Sequence, residues 1–334
     1  MTFQSVIDRQ YAISNGEYID IDMPRFQKYA VCNLRGGIGK TTLVFNLSYL
    51  TDDLLVVDTC PQCNLSYFFD NSYLATHAVT THGLILPYIV PSIGGRATHA
   101  ARRINVTNGF FEKKTSCFIQ SKNDLYLLPS QLTTAINQAM SLDAATRERT
   151  VNTIIFSLKT EIDREIQEQR LNKCLIDTSP FFSGATQLSM YAADALVVPV
   201  RTDQQSVNSF ELLISLLTDP QSEFRKYLTN GYALTLPKIQ MVVLTHCSWS
   251  RQSGDRNIPD RQTKMYAQRV YDIMRQHSGL LSTNNPSNHL FLLEDFLGSG
   301  RISSAQSKPI DLLHAGETKE SVYLNIPFSL FCSV

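Results

Sequence analysis

Residues 34–42 read Leu34-Arg35-Gly36-Gly37-Ile38-Gly39-Lys40-Thr41-Thr42, and this order of residue types suits the holding of an anion. Glycines let successive backbone N–H groups turn toward one oxygen-rich group, and a helix opening near Thr41 adds its positive end. Lys40 stands where an ammonium group reaches terminal phosphates, and the Thr41 hydroxyl can meet a magnesium ion. A strict phosphate-loop pattern asks for glycine where Leu34 stands, so the motif departs from it at the first position. The competing reading is an ordinary glycine turn. Gly39-Lys40-Thr41-Thr42, in register between a strand and a helix, argues against it. The expected nucleotide-binding set is Gly36, Gly37, Ile38, Gly39, Lys40, Thr41 and Thr42.

The loop needs a scaffold, and the flanking residues supply one. Tyr29–Leu34 reads as a short apolar strand. Thr41–Leu50 reads as a helix with Leu43, Val44, Leu47 and Leu50 on one face. Leu54-Leu55-Val56-Val57 is a buried strand ending at Asp58, which completes a βαβ unit. Further strands are expected at Leu125–Leu128, Cys174–Asp177, Ala195–Val200, Ile239–Thr245 and Leu290–Leu293, with one long charged helix at Thr146–Arg170. Strands alternating with helices predict an α/β fold, a doubly wound, mostly parallel sheet with helices on both faces.

Residues 1–25 read as an N-terminal extension, in which Asn15-Gly16 either closes a β-hairpin or lies in a loosely packed leader. Residues 26–334 read as one domain. It carries a variable, basic insertion at about 66–124, with loops, short helices and the cations Arg96, Arg102, Arg103, Lys113 and Lys114.

The 334 residues are 43% hydrophobic and 18% charged, enough apolar material for a large core and against global disorder. Thirty basic residues balance thirty acidic ones, so any nucleic-acid surface must be local. No apolar run approaches the ~20 residues of a membrane span. The first residues lack the basic-then-apolar order of a signal peptide. Seven scattered cysteines suit a reducing compartment. These features together predict a cytoplasmic protein.

The glycine loop resembles the deviant Walker A motif of the ParA/MinD family of P-loop ATPases, Lys-Gly-Gly-x-Gly-Lys-Thr-Thr. Three further blocks follow in that family's order. Asp58-Thr59-Cys60-Pro61-Gln62-Cys63-Asn64 resembles its Asp-x-Asp-Pro-Gln-x-Asn stretch. Asp177-Thr178-Ser179-Pro180 resembles its Asp-Thr-Pro-Pro switch, and Arg301 to Pro309 resembles its closing segment. The resemblance runs from residue 29 to about 315. It implies ATP and Mg2+ as ligands, with Lys40 on the β/γ-phosphates and Thr41, Asp58 and Asp177 around the metal. It also implies a nucleotide-dependent homodimer, an adaptor or cargo protein as partner, and partition or positioning of DNA or another cargo. Thr245 and His246 follow the strand beside which the family places the adenine; for His246 a packing role competes.

Two positions depart from the family. Arg35 replaces the lysine that reaches across the dimer, keeping its charge on a larger, forked group. Cys60 replaces the aspartate that positions the attacking water. A neutral thiol is a poor substitute for a carboxylate, so hydrolysis is expected to be weak or absent while binding persists. The catalytic set under test is thus Lys40, Arg35, Asp58 and Cys60. Cys60 and Cys63 also form a Cys-x-x-Cys, but no second pair stands at metal-ligand spacing. Arg251, Arg256, Arg261, Lys264 and Arg269 could form a strip for nonspecific DNA, which would place the protein on the nucleoid; Asp255, Asp260 and Asp272 interrupt it. Two other functions compete: an ATP-sensing regulatory or assembly subunit that does not cycle, and a metabolic P-loop enzyme. The Pro61-Gln62-Cys63-Asn64 block and the closing segment weigh against the metabolic one.

Overall fold

The structure is a computed structural model. It describes residues 2–75, 78–90, 99–182, 184–226, 235–250, 258–295 and 297–314. In chain order the main elements are α1 (Gln4–Ser14), β1 (Lys28–Val31), α2 (Lys40–Leu50), β2 (Leu54–Asp58), α3 (Asn64–Phe69) and α4 (Thr81–Ile89). There follow β3 (Arg102–Arg103), α5 (Ile104–Thr107), β4 (Cys117–Ile119), α6 (Leu128–Met140), α7 (Ala144–Ile155), α8 (Ser157–Gln169) and β5 (Lys173–Asp177). The last third holds α9 (Ala185–Ala192), β6 (Ala195–Arg201), α10 (Gln204–Thr218), β7 (Lys238–Cys247), α11 (Arg261–Gln276), β8 (Leu290–Glu294) and α12 (Leu297–Gln306).

The strands form one sheet in the order β3-β4-β2-β5-β1-β6-β7-β8. All neighbours are parallel except the edge pair β3 and β4. Period-two alternation divides the side chains between two cores. Leu55, Val57, Ile176 and Val198 enter one; Leu54, Val56, Leu175 and Val197 enter the other. Strands buried on both faces read as unbroken apolar runs, which is how β2 and β6 were legible. The chain leaves β1 toward β2 on one side and passes from β5 to β6 on the other, so a crevice opens at the carboxyl ends of the central strands.

Four expectations need correction. Asn15-Gly16 closes no hairpin; it ends α1. Gly16 N–H bonds to Ile13 O at 2.9 Å and Glu17 N–H to Ala12 O at 3.0 Å, a Schellman motif with Gly16 at φ 85°. The dipeptide supplies a positive φ to either structure, and the burial of Val6, Ile7, Gln10 and Ile13 follows the helical period. The extension is docked: Arg9 donates to the carbonyls of Ser287 and Leu290 and lies over the Phe291 ring.

Leu125–Leu128 is not a strand. Pro129 stands in the first turn of α6, where its missing N–H is harmless. The strand of that region is β4, paired with β2 inside the segment taken as an insertion. The long charged helix is two helices, α7 and α8, parted at Phe156; each turns its own apolar side, Val151, Ile154 and Ile155 or Leu158, Ile162 and Ile166, into the core. The basic insertion is partly neutralised by its surroundings. Arg102 pairs with Asp70 at 2.7 Å, Lys114 pairs with Asp52 at 3.1 Å, and Arg103 donates to Thr115 O. Arg96 lies outside the described residues.

Gly16→Ala should lower stability by about 1 kcal/mol, the cost of a Cβ in the left-handed region. Urea unfolding checks this. An unchanged midpoint would mean that α1 is undocked in solution.

Candidate functional site

The glycine loop joins β1 to α2, and Gly39 at φ 88° is the residue that turns the chain into the helix. At Gly37 and Gly39 an added Cβ would meet nothing within 4 Å. The space above the loop is therefore open, and glycine is required there by the backbone, not by crowding. Lys40 is buried, and its Nζ donates to Asn33 O at 3.1 Å and Arg35 O at 2.6 Å. Burial lowers its pKa, opposed by Asp177. The ammonium is thus held by the loop's own carbonyls at the foot of the open space.

Asp58 and Asp177 end adjacent parallel strands and lie opposite each other in the β2–β5 register. Thr41 Oγ1 donates to Asp177 Oδ2 at 2.8 Å. Asp177 Oδ1 is buried without a hydrogen-bond partner among the described residues. Asp58 accepts from Cys60 N and Ser66 N, each at 2.9 Å, and from Ser66 Oγ at 2.7 Å. Burial raises both carboxyls. Asp177 is pushed up to about 8, with Asp58 adding repulsion. Asp58 reaches only about 6, because the bonds from Ser66 and Cys60 oppose its desolvation. A hydroxyl and carboxylates form an all-oxygen donor set that fits magnesium. Among the described residues no group of three or more His, Cys, Asp or Glu could hold a metal. Magnesium takes one or two carboxylates and completes its shell with phosphate and water. An orphaned carboxylate oxygen beside Thr41 is the observation that the site fits such an ion. When bound, magnesium would neutralise phosphate charge here; Thr41 and Asp177 would hold it, with Asp58 behind.

Cys60 is buried, and its thiol is pushed up to about 12 by desolvation, reinforced by Asp58 and Asp177. It is a neutral thiol, neither base nor anion. Cys63 Sγ faces Pro61 O and Asn123 Oδ1, at 3.4 and 3.7 Å. Cys32, Cys60, Cys63, Cys117, Cys174 and Cys247 are all buried and form no disulfide among the described residues.

Arg35 points sideways within its own chain. Its guanidinium pairs with Asp203 and hydrogen-bonds Ser206 Oγ at 3.0 Å. Asp203 is also the N-cap of α10, accepting from Ser206 N at 2.9 Å. Sequence reading missed Asp203, although an acidic residue at the end of a strand and three before Ser206 is a legible cap. It also missed Ser66, which holds Asp58.

A cleft of about 780 Å3 runs from Gly37, Gly39 and Thr42 to Thr245, His246, Asp295 and Arg301. Thr245 and His246 stand near the end of β7, where a register shift against β8 coincides with φ 59° at His246. The cleft thus gathers Gly37, Gly39, Thr42, Thr245, His246 and Arg301, while Thr41, Asp177, Asp58 and Cys60 are joined to one another at the ends of β2 and β5. The basic strip is not part of it. Arg261, Lys264 and Arg269 lie on α11, where Arg269 donates to Gln204 and packs over Tyr266. Arg251 and Arg256 lie outside the described residues.

Comparison with known proteins agrees with this fold. Residues 26–230 match a family model described as an AAA domain. An uncharacterized protein of Methanocaldococcus jannaschii is 25% identical over 244 residues, covering 72% of this chain and 78% of that protein. Among solved structures, apo McdA of Cyanothece superposes with a TM-score of 0.59 at 19% identity, over 85% of this chain and 92% of its own. A McdA variant solved as an ATP complex gives 0.58 at 19% identity, over 91% and 94%. A Corynebacterium diphtheriae protein gives 0.56 at 15% identity, over 84% and 96%. These structural likenesses concern the fold.

The raised carboxyls set a pH dependence. A folded-state pKa near 8 against an unfolded value of about 4 stabilises the fold fully below about pH 4 and loses that contribution as pH rises through about 8. Without nucleotide, Tm should therefore fall between about pH 4 and 8, and Asp177→Asn should flatten the fall. Parallel profiles for the two proteins would show Asp177 already ionised in the free chain.

Proposed function

The chain belongs to the ParA/MinD family of P-loop ATPases, and we propose that it binds ATP with Mg2+, pairs with a second copy through that nucleotide, and holds the nucleotide with little hydrolysis. Lys40 and the N–H groups of residues 36–42 take the phosphates. Thr41, Asp177 and Asp58 serve the metal, and the far end of the cleft, at Thr245 and His246, takes the base. The protein in this state positions DNA or another cargo through a partner protein.

The observation that carries the reading is the state of Cys60. Phosphoryl transfer to water needs a group that orients the nucleophile. The residue at that place is a buried, neutral thiol flanked by two carboxyls. The binding groups surround it intact. A non-cycling, ATP-sensing subunit with a dedicated protein partner rests on the same thiol, and salt-sensitive, ATP-dependent DNA binding separates the two.

Arg35 can serve a partner's phosphates only by leaving Asp203. The pair is partly exposed, with side chains 25% and 32% accessible, so it is a modest restraint. A DNA surface finds support in Arg261, exposed in the first turn of α11, and in Lys264 and Arg269 further along that helix. Arg275 contributes less, being paired with Asp272.

Asp203→Asn keeps a good cap and frees the guanidinium. ATP-dependent self-association, followed by sedimentation, should strengthen by roughly two- to fivefold. Weaker association would make Arg35 an anchor of the loop instead. Single-turnover hydrolysis of pre-bound Mg-ATP tests the main reading. Wild type should retain ATP, with or without DNA, and Cys60→Asp should restore turnover. A wild type that turns over at a rate DNA increases, lost in Lys40→Ala, would establish a cycling ATPase and refute the role given to Cys60.

A further inference from the structure

The cleft that starts at the glycine loop is larger than a triphosphate needs, so a ligand held by its phosphates at Gly37 and Gly39 extends toward the wall containing Thr245, His246 and Asp295. What that wall offers a nucleobase follows from one hydrogen-bond chain.

Thr245 Oγ1 donates to Ile38 O at 3.2 Å. A carbonyl has no proton, so the hydroxyl must supply it, and a hydroxyl has only one. Toward its other neighbour, His246 Nδ1 at 3.1 Å, the same oxygen can only accept. The proton of that contact therefore sits on Nδ1, and Nε2 keeps a lone pair. Burial lowers the His246 pKa, opposed by Asp295 and Asp203 and assisted by Arg201, so the ring is neutral near pH 7. Nε2 makes no hydrogen bond to any described residue, although His246 lines the cleft. Thr202 Oγ1 holds the His246 carbonyl at 2.8 Å, which steadies the backbone that aims the ring.

We propose that His246 selects the purine: its Nε2 accepts from a 6-amino group and disfavours a 6-oxo group, which presents only lone pairs there. Thr245 is a positioning residue acting through the histidine. Its bond to Ile38 sets the tautomer and links the loop that takes the phosphates to the ring that reads the base. The inference rests on the nucleotide reading above and adds the discriminating atom. Asp295, on the same wall, is the rival acceptor; it would favour guanine through N1–H and the 2-amino group.

Calorimetric titration of the full chain with Mg2+ and ATP, inosine triphosphate or GTP tests the assignment, because the first two differ in their bases only at the 6-position and its N1 proton. Wild type should prefer ATP over inosine triphosphate by roughly tenfold, the worth of one matched against one mismatched hydrogen bond. His246→Asn tolerates the left-handed backbone, and its amide can rotate to donate or accept, so the preference should collapse with a gain for inosine triphosphate. Thr245→Val should reduce the preference with His246 intact, and Thr245→Ser should restore it. Equal weakening of both nucleotides in the His246 and Thr245 variants would mean a structural role and overturn the proposal. The order GTP, inosine triphosphate, ATP would assign the reading to Asp295 and overturn it too. Tight ATP binding without discrimination sinks this inference alone, whereas a wild type that binds no nucleotide sinks the nucleotide reading with it.

Discussion

Two carboxyls placed side by side under the start of a helix are the constraint around which this molecule is organised. Asp58 and Asp177 are opposite partners on adjacent parallel strands, both buried. Left to themselves they are unfavourable: each loses hydration, and each raises the other's cost of ionisation. The fold meets this unequally. Asp58 receives bonds from Ser66 and Cys60, whereas Asp177 receives the Thr41 hydroxyl on one oxygen while its other oxygen, Oδ1, has no hydrogen-bond partner among the described residues. The unmet oxygen is the point at which a cation would bring most relief, and it lies beside the loop that would bring phosphate to the same place.

The positive groups are arranged in the complementary way. Lys40 is tied to carbonyls of its own loop and needs no acid to hold it, so its charge remains available to the cleft. Arg35 is instead paired with Asp203. One cation is therefore held by backbone carbonyls alone, and the other must exchange partners before it can serve anything else. The difference follows from position: Lys40 opens a helix within the turn, while Arg35 precedes the turn and faces α10.

The chemistry the site lacks is as informative as what it holds. A thiol between two acids, away from water, is held in its neutral form by the same desolvation that raises the acids. Binding through backbone N–H groups, an ammonium, a hydroxyl and carboxylates is insensitive to that change, because none of these groups is the thiol. On the proposed reading, affinity and turnover rest on different atoms, and only the second set differs from the family's.

Much of this was legible in the order of residues. The glycine loop, β2 ending at Asp58, β5 ending at Asp177 and the parallel sheet all follow from local features: short apolar runs, a Gly-Lys-Thr-Thr turn and acids at strand ends. These are decided within a few residues, by backbone freedom and by period-two burial. The exchange of Arg35 for a lysine and Cys60 for an aspartate was visible for the same reason. Other features depended on residues far apart in the chain. Asn15-Gly16 fits a hairpin and a helix end equally well until Arg9 finds the carbonyls after residue 286. β4 is too short to be read alone and becomes a strand by pairing with β2. Arg35 meets Asp203 and Thr245 meets Ile38 only because the sheet brings the carboxyl ends of its strands together. The sequence by itself determined which groups could do the chemistry. The tertiary structure decided which of them are neutral, which are paired and which remain open to a ligand, because those properties depend on burial and on neighbours that local sequence does not contain.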